Sequence, residues 1–401
     1  MMTHTSLSKV SFYWLVFSLT LVLCLNLKAA NYSDKDVHDL VNNQQVGYYC
    51  KDVAAGPSWL YQPGTCGLLR ERSMWLDAVS FHTLLNYKVS FNVTDFSIDR
   101  GSVPYELKAE LGLETGKLFE QGNDDRLWWA LAFVRAYQYN TSHNEYLQVA
   151  IDVYDDIREK YWDSTCGGGV WWDLNRSYKN AITNELYLTL AIELYQVKKE
   201  QTYLDEAKKA ADWLMGSHMI NEDSLINDGL KILPDRTCVN NGQNTWTYNQ
   251  GVVLDGLVKL GKALSDQKYY TQAMSIFRAV SDPDNKLVTQ DGILVELIPE
   301  DFKVNTDTPA FKGAFMRHVG EVIPLATDKD ARFMCDFVEK NTQSLWSHHC
   351  QYKGGPMLPY LWDHDCLVAG NRVSSTTTFS GLDLLNTAKV CQKRFPAKSE
   401  L

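Results

Sequence analysis

Two adjacent carboxylates, Asp124 and Asp125, stand at the head of an aromatic-rich run, Gly122-Asn123-Asp124-Asp125-Arg126-Leu127-Trp128-Trp129-Ala130-Leu131-Ala132. Like charges on neighbouring residues repel, so the pairing calls for a reason. Glycoside hydrolysis needs two carboxyl groups flanking one bond, and indole rings such as that of Trp128 stack on sugar faces. An acidic pair at a helix start also complements the positive end of the helix dipole. The rest of the chain must decide between these readings.

Comparable clusters recur. Cys166-Gly167-Gly168-Gly169-Val170-Trp171-Trp172 combines glycines that permit close backbone approach with Trp171 and Trp172 as a candidate sugar platform. A phosphate cradle is the weaker reading, because no Lys-Ser/Thr follows. Tyr178 to Glu185 then brings Asn184 and Glu185, which can cap a helix or bind hydroxyls. Asp228, the group Trp246, Tyr248 and Asn249, and Lys312 within Phe311-Lys312-Gly313 complete the candidate substrate-binding set. His348, His349 and Cys350 with His364 and Cys366 match no zinc spacing, and disulfides account for the cysteines more simply. No metal or cofactor is expected. No Gly-x-Ser-x-Gly elbow supports a serine hydrolase.

These clusters need elements to position them. The periodicity predicts helices near 34–48, 69–88, 103–112, 124–139, 145–161, 181–197, 203–217, 247–264, 268–280, 311–326, 328–345 and 374–390. Every second segment, from 69–88 to 374–390, is apolar all round and therefore suited to burial, while its neighbours carry a charged face. A short motif at Tyr146, Tyr203 and Tyr269 opens three of the charged helices and suggests stacked helix pairs. Six inner and six outer helices predict an all-α (α/α)6 barrel, with the loops entering the inner helices gathered at one end around a cleft. Gly292 to Leu297 is the best strand candidate.

Residues 1–30 read as a secretory signal peptide, with Lys9, an apolar run from Val10 to Leu25, and Ala29 and Ala30 as small residues at the cut. A retained membrane anchor is the alternative. Residues 31–401 then form a single domain. Nine cysteines are present, and with Cys24 in the leading segment eight remain for disulfides. Sequons begin at Asn31, Asn92, Asn140 and Asn175. The net charge of −10 and the absence of a basic stripe argue against nucleic acid, whereas 12 Trp and 21 Tyr suit neutral sugars. The polar end, Lys398-Ser399-Glu400-Leu401, carries no glycolipid-anchor tail and loosely resembles a retrieval signal of the endoplasmic reticulum. A secreted protein is expected, with a lumenal location as the alternative and no stable membrane insertion after signal cleavage.

In their order along residues 34–390, Gly122 to Ala132, Cys166 to Trp172, Tyr178 to Glu185, Trp246 to Gly251 and Phe311 to Gly313 closely resemble glycoside hydrolase family 76, the α-1,6-mannanases. The resemblance implies an (α/α)6 barrel and endo-hydrolysis of α-1,6-linked mannan with retention. It places the nucleophile on Asp124 and the general acid/base on Asp125. Carboxyls of a retaining enzyme lie about 5–5.5 Å apart, so two neighbours on a helix would converge from an irregular first turn, with Gly122 relaxing the backbone. Asp125 is expected to hold its proton through the charge of Asp124. The fungal branch resembles cell-wall transglycosidases carrying C-terminal anchor signals; the polar tail here favours a soluble hydrolase. A mannosyl transglycosidase and a non-catalytic mannan-binding protein are the two alternatives.

Overall fold

The computed structural model describes residues 32–48, 74–93, 122–142, 144–296, 307–352, 355–366, 368, 371 and 373–396. Eleven α-helices account for most of these described residues: α1 (Asp34–Tyr48), α2 (Met74–Phe91), α3 (Asn123–Tyr139), α4 (Asn144–Tyr161), α5 (Ala181–Lys198), α6 (Gln201–Gly216), α7 (Thr247–Leu264), α8 (Gln267–Val280), α9 (Thr308–Val322), α10 (Asp328–Ser347) and α11 (Ser375–Arg394). The segment predicted at 103–112, the signal segment 1–30, Asn31, Cys50 and Cys66 lie outside the described residues.

The helices without a polar face turn inward. α5 is buried from Ala181 to Leu194 and α11 from Ser375 to Ala388. α2 packs on α3, α3 on α5, α5 on α7, α7 on α9, α9 on α11, and α11 closes the ring on α2. Small residues let neighbouring backbones approach at these crossings. A Cβ on Gly251 would come within 2.4 Å of the Phe315 Cα, and one on Gly313 would meet the Ser380 Cα at 2.4 Å. The amphipathic α4, α6 and α8 pack outside α3, α5 and α7, while α10 and α1 pack on α11. The recurring tyrosines link these outer layers: Tyr203 meets the Tyr154 ring at 5.3 Å, and the Tyr269 hydroxyl donates to Asp212 at 2.8 Å. This is the (α/α) toroid expected from the alternation of helix types.

The axis of the ring is not wholly apolar. Lys259 Nζ lies 2.7 Å from Asp255 and 3.4 Å from Glu321 and also pairs with Glu193. His318 contacts Asp255 at 3.2 Å, and Arg317 pairs with Asp383 at 2.6 Å. Opposite charges buried together avoid the large penalty of an isolated buried ion.

Strands are few. β1 (Lys179–Asn180), β2 (Gly229–Ile232) and β3 (Cys238–Asn240) form one antiparallel sheet, and β4 (Cys350–Tyr352) pairs with β5 (Gly355–Met357). Of the strand expected at Gly292–Leu297, the described residues to Glu296 show one bridge, between Leu294 and Val288. Thr289 N–H to Ile293 O at 2.8 Å and Val295 N–H to Leu287 O at 2.9 Å flank that bridge, and the Asn341 side chain takes the Leu294 N–H at 2.7 Å. Among the described residues three disulfides join Cys166 to Cys238, Cys335 to Cys391 and Cys350 to Cys366. The last consumes both cysteines of the His/Cys cluster. Among the described residues no helix is long and apolar enough to cross a membrane.

Candidate active site

At one end of the toroid, a cleft of about 500 Å³ is lined by Asp124, Asp125 and Trp128 of α3, with Trp75, Trp172, Tyr178, Asn180, Asp228, Tyr248, Asp307 and Phe311 around them. These residues come from the entrances of α2, α3, α5, α7 and α9. In a ring of alternating inner and outer helices, all inner N-termini point to the same end.

A buried chain of bonds sets the position of the aspartate pair. Arg126 is fully buried, pairs with Asp156 of α4, and donates to Asn123 Oδ1 at 2.8 Å. Asn123 then donates from its side chain to Trp171 O at 2.7 Å and from its backbone to Trp172 O at 2.8 Å. That seats the Trp172 ring so that its indole N–H donates to Asp124 Oδ2 at 2.9 Å. Asp124 Oδ1 accepts from the Asp125 backbone N–H at 3.0 Å. The expected irregular first turn is not seen, since α3 is helical from Asn123 and both aspartates still line the same cleft. Gly122 has ordinary extended geometry (φ −56°, ψ 151°). Its use is spatial, because a Cβ there would lie 2.9 Å from Asp124 Oδ1.

The glycine-rich loop supports this wall from behind. Cys166, Gly167, Gly168 and Gly169 all have positive φ, a geometry that favours glycine. The close approach of Gly168 and Gly169 is to Trp213, whose ring atoms would lie 2.3 Å from a Cβ on Gly169. Lys179 gathers the loop's carbonyls around one ammonium: Thr165 O at 2.7 Å, Gly168 O at 2.6 Å and Gly169 O at 2.9 Å, with Asp163 Oδ1 at 2.9 Å. Burial pushes the Lys179 pKa down against the opposing pull of Asp163. Burial pushes Asp163 up, but Lys179, Trp171 and the Thr165 N–H outweigh it and bring its carboxyl to about 2. Lys179→Met is expected to lower stability by about 3 kcal/mol, because several buried acceptors lose their donor at once. Urea unfolding checks this, and a change within about 0.5 kcal/mol would remove the lysine from that role.

The rest of the lining is built from ring contacts and two more carboxylates. Asp228 accepts from the Tyr178 hydroxyl at 2.7 Å and from the Trp246 indole. Tyr248 stacks on Phe311 at 4.0 Å, and Trp75 donates to Asp307 at 2.9 Å. Asp124, Asp228 and Asp307 thus each accept an indole N–H. Asp125 accepts no hydrogen bond from any described residue. Hydrogen bonds to a carboxylate favour its charged form, and their absence leaves burial unopposed at Asp125.

The electrostatics follow that asymmetry. Burial raises Asp124 to about 6 despite the bonds from Trp172 and the backbone. Burial first, then the charges of Asp124 and Asp307, raise Asp125 to about 8. Burial is therefore a larger cause than the charged neighbour to which the sequence reading attributed the shift. Between these values the cleft holds one ionised and one protonated carboxyl, the arrangement needed for a nucleophile beside an acid.

Of the residues expected to bind substrate, Trp128, Trp172, Asp228 and Tyr248 line the cleft. Trp172 is exposed, and Trp128 forms the floor, in tilted ring contact with Trp75 and His318. Six others lie behind the surface. Trp171 is buried with its indole on Asp163 at 2.9 Å, and Lys179 sits over its ring. Asn184 bonds Val170 N at 2.7 Å and Asn180 O at 2.8 Å, a role in holding the loop. Glu185 and Asn249 are buried beneath the wall, and Trp246 reaches the site through Asp228. Lys312 donates to Tyr360 O at 2.7 Å between the Tyr360 and Trp362 rings, where burial lowers its pKa to about 7.

Trp75 and Asp307 belong to no motif singled out in the sequence. The available signal was Asp307-Thr308-Pro309, a helix start with proline in the first turn. The periodicity alone placed that start at Phe311.

Residues 34–397 match the family model of glycosyl hydrolase family 76. The chain belongs to that family. This family-76 chain is 28% identical over 227 residues to the mannan endo-1,6-alpha-mannosidase DCW1 of Saccharomyces cerevisiae, a match covering 53% of this chain and 49% of that protein. The matched stretch is about half the length of most of its curated relatives. An α-1,6-mannanase of Salegentibacter sp. HEL1_6 has the same fold, with a TM-score of 0.74 at 19% identity, covering 89% of this chain and 99% of that one. An inactive variant of that mannanase has two consecutive aspartates replaced by alanine and is in complex with alpha-1,6-mannotetrose. Its TM-score is 0.75 at 20% identity, covering 89% of this family-76 chain and 99% of the variant. The family-76 toroid is thereby established for the described helices.

Proposed function

We propose that this chain is a retaining endo-α-1,6-mannosidase acting on mannan, with Asp124 as nucleophile and Asp125 as general acid/base. The observation that carries this reading is the adjacent carboxyl pair in one aromatic-lined cleft, one member held by donors and the other by none. The relative's mannan endo-1,6-alpha-mannosidase name and the consecutive aspartates of the inactive mannanase variant support it.

In the first step an Asp124 oxygen bonds the anomeric carbon while the glycosidic C–O bond breaks, and the Asp125 proton moves to the leaving oxygen. Asp125, now ionised, takes a proton from water as the water oxygen attacks the anomeric carbon. The ester to Asp124 breaks, and both carboxyls return to their starting states. Trp172 and Trp128 offer faces on which sugar rings can stack.

Incubation with linear α-1,6-mannan, followed by chromatography and anomeric analysis of the products, tests the proposal. Short manno-oligosaccharides of retained configuration are expected. Transfer to an added mannoside at the expense of hydrolysis would favour the transglycosidase, and binding without cleavage would favour a lectin. Passage through the secretory pathway is supported by the three disulfides among the described residues and by exposed sequon asparagines at Asn92, Asn140 and Asn175.

A further inference from the structure

Trp172 is placed for more than stacking on a sugar. Its ring is 40% exposed, yet it is held at several points. The backbone N–H donates to Tyr178 O at 2.7 Å, the carbonyl accepts the Asn123 N–H at 2.8 Å, and the ring meets Tyr178 edge-on at 6.3 Å. So fixed, the indole Nε1 donates to Asp124 Oδ2 at 2.9 Å, while Oδ1 of the same carboxylate accepts the Asp125 backbone N–H at 3.0 Å. A sugar platform needs only the faces of the ring. The N–H, at its edge, serves Asp124.

We propose that Trp172 takes part in the second chemical step: its indole N–H draws charge back onto Asp124 and so helps the glycosyl ester to break. The reason lies in how the charge on Asp124 changes through the cycle. The carboxylate is charged before attack, neutral as an ester, and charged again once water has displaced it. In the first step its charge falls toward the transition state, so a donor there stabilises the starting state more and gives no acceleration. In the second step the water oxygen bonds the anomeric carbon, Asp125 takes the water proton, and the electron pair of the breaking C–O bond returns to Asp124. Charge now grows on the carboxylate, and a donor already aimed at it lowers that barrier. The Asp125 backbone N–H acts in the same sense, and Trp172 supplies the side-chain share.

The two steps rest on the mannosidase reading, whereas the bond to Asp124 belongs to the free protein. Trp172→Phe in the full chain keeps an aromatic face and removes the N–H. Benzothienylalanine at the same position also keeps the two-ring shape, and repeats the test should the phenyl ring unsettle the loop. The substrate is an aryl α-1,6-mannobioside whose leaving group needs no proton, so that the second step limits turnover. Steady-state turnover should fall about tenfold, the worth of one hydrogen bond to a charged group. A burst of released aryl alcohol should precede it, KM should fall with kcat, and mass spectrometry should find the glycosyl-enzyme accumulating above the wild-type level. A Trp172→Leu variant, which loses the face as well, should weaken binding in addition. Without substrate, the Asp124 carboxyl-carbon NMR signal, assigned from Asp124→Asn, should titrate about one pH unit higher in Trp172→Phe, because the ionised form has lost a donor. Asp125, Tyr178, Asp228, Tyr248 and Asp307 share the cleft with Asp124, and the substitution leaves all five side chains in place. Unchanged turnover, a slower first step without accumulation, or an unchanged Asp124 titration would each overturn the proposal. If wild type cleaves mannan, such a result defeats this proposal alone. If wild type cleaves neither mannan nor the mannobioside, the mannosidase reading falls and takes the proposal with it.

Discussion

Asp124→Asn is expected to lower kcat on α-1,6-mannan by on the order of 10⁴-fold or more, with a folded protein and little change in binding. An amide cannot form the glycosyl ester, and the loss of a covalent nucleophile is among the largest single-residue effects known. Structure should survive the change. The substitution keeps the side-chain shape, and its amide oxygen can still accept one of the two bonds made by Asp124, from Trp172 or from the Asp125 backbone. The residue's raised pKa also means that the wild-type carboxylate sits in an environment unfavourable to its charge, so removing that charge need not destabilise the fold. Single-turnover kinetics and mass spectrometry of the trapped intermediate check the prediction. A glycosyl-enzyme formed at near wild-type rate would take the nucleophile role from Asp124.

Asp125→Asn is expected to produce a different defect. Loss of the general acid should slow cleavage of mannan by about 10²–10⁴-fold, whereas an aryl mannoside whose leaving group needs no proton should still form the glycosyl-enzyme. The pH dependence separates this variant further. The active form has Asp124 ionised and Asp125 protonated. Wild-type kcat/KM therefore rises as pH increases through about 6 and falls as it passes about 8. In the variant the descending limb should vanish, because the group that loses its proton there is gone. A bell retained near 8 would assign the acid elsewhere in the cleft, with Asp228 the first alternative to examine.

Much of the architecture was legible before any coordinates. An inner helix such as α5 lacks a polar face, an outer one such as α8 has one, and alternation of the two along the chain leads to a toroid. The helix starts were less secure. Periodicity reads the buried stretch of α9 from Phe311, but the helix begins at Thr308 because Pro309 suits a first turn, whose N–H groups lack partners anyway. The strand expected near Gly292 failed for another reason. A short apolar run becomes a strand only where a second backbone stays alongside; here Leu287 to Thr289 do so only around one bridge, and the Asn341 side chain takes the Leu294 N–H.

The site divides in the same way. Composition and order along the chain were enough to identify Asp124 and Asp125, because an adjacent acidic pair before two tryptophans is a local feature. They were also enough to select the loops that gather around it. They could not tell Trp172, which faces the cleft, from Trp171, whose indole bonds Asp163 beneath it. Trp171 and Trp172 point opposite ways, and the bonds that hold their backbone, from Asn123 to their carbonyls and from their N–H groups to Tyr161 and Tyr178, set which points out. Nor could sequence reveal that Lys312 serves Tyr360 and its neighbouring ring, or that Asp307 and Trp75, 232 residues apart, meet beside the catalytic pair. Chemistry that depends on residue type and local spacing is written along the chain. The proton's preference for Asp125 depends on burial and on a donor that reaches Asp124 from another loop, and those arise only when the ring closes.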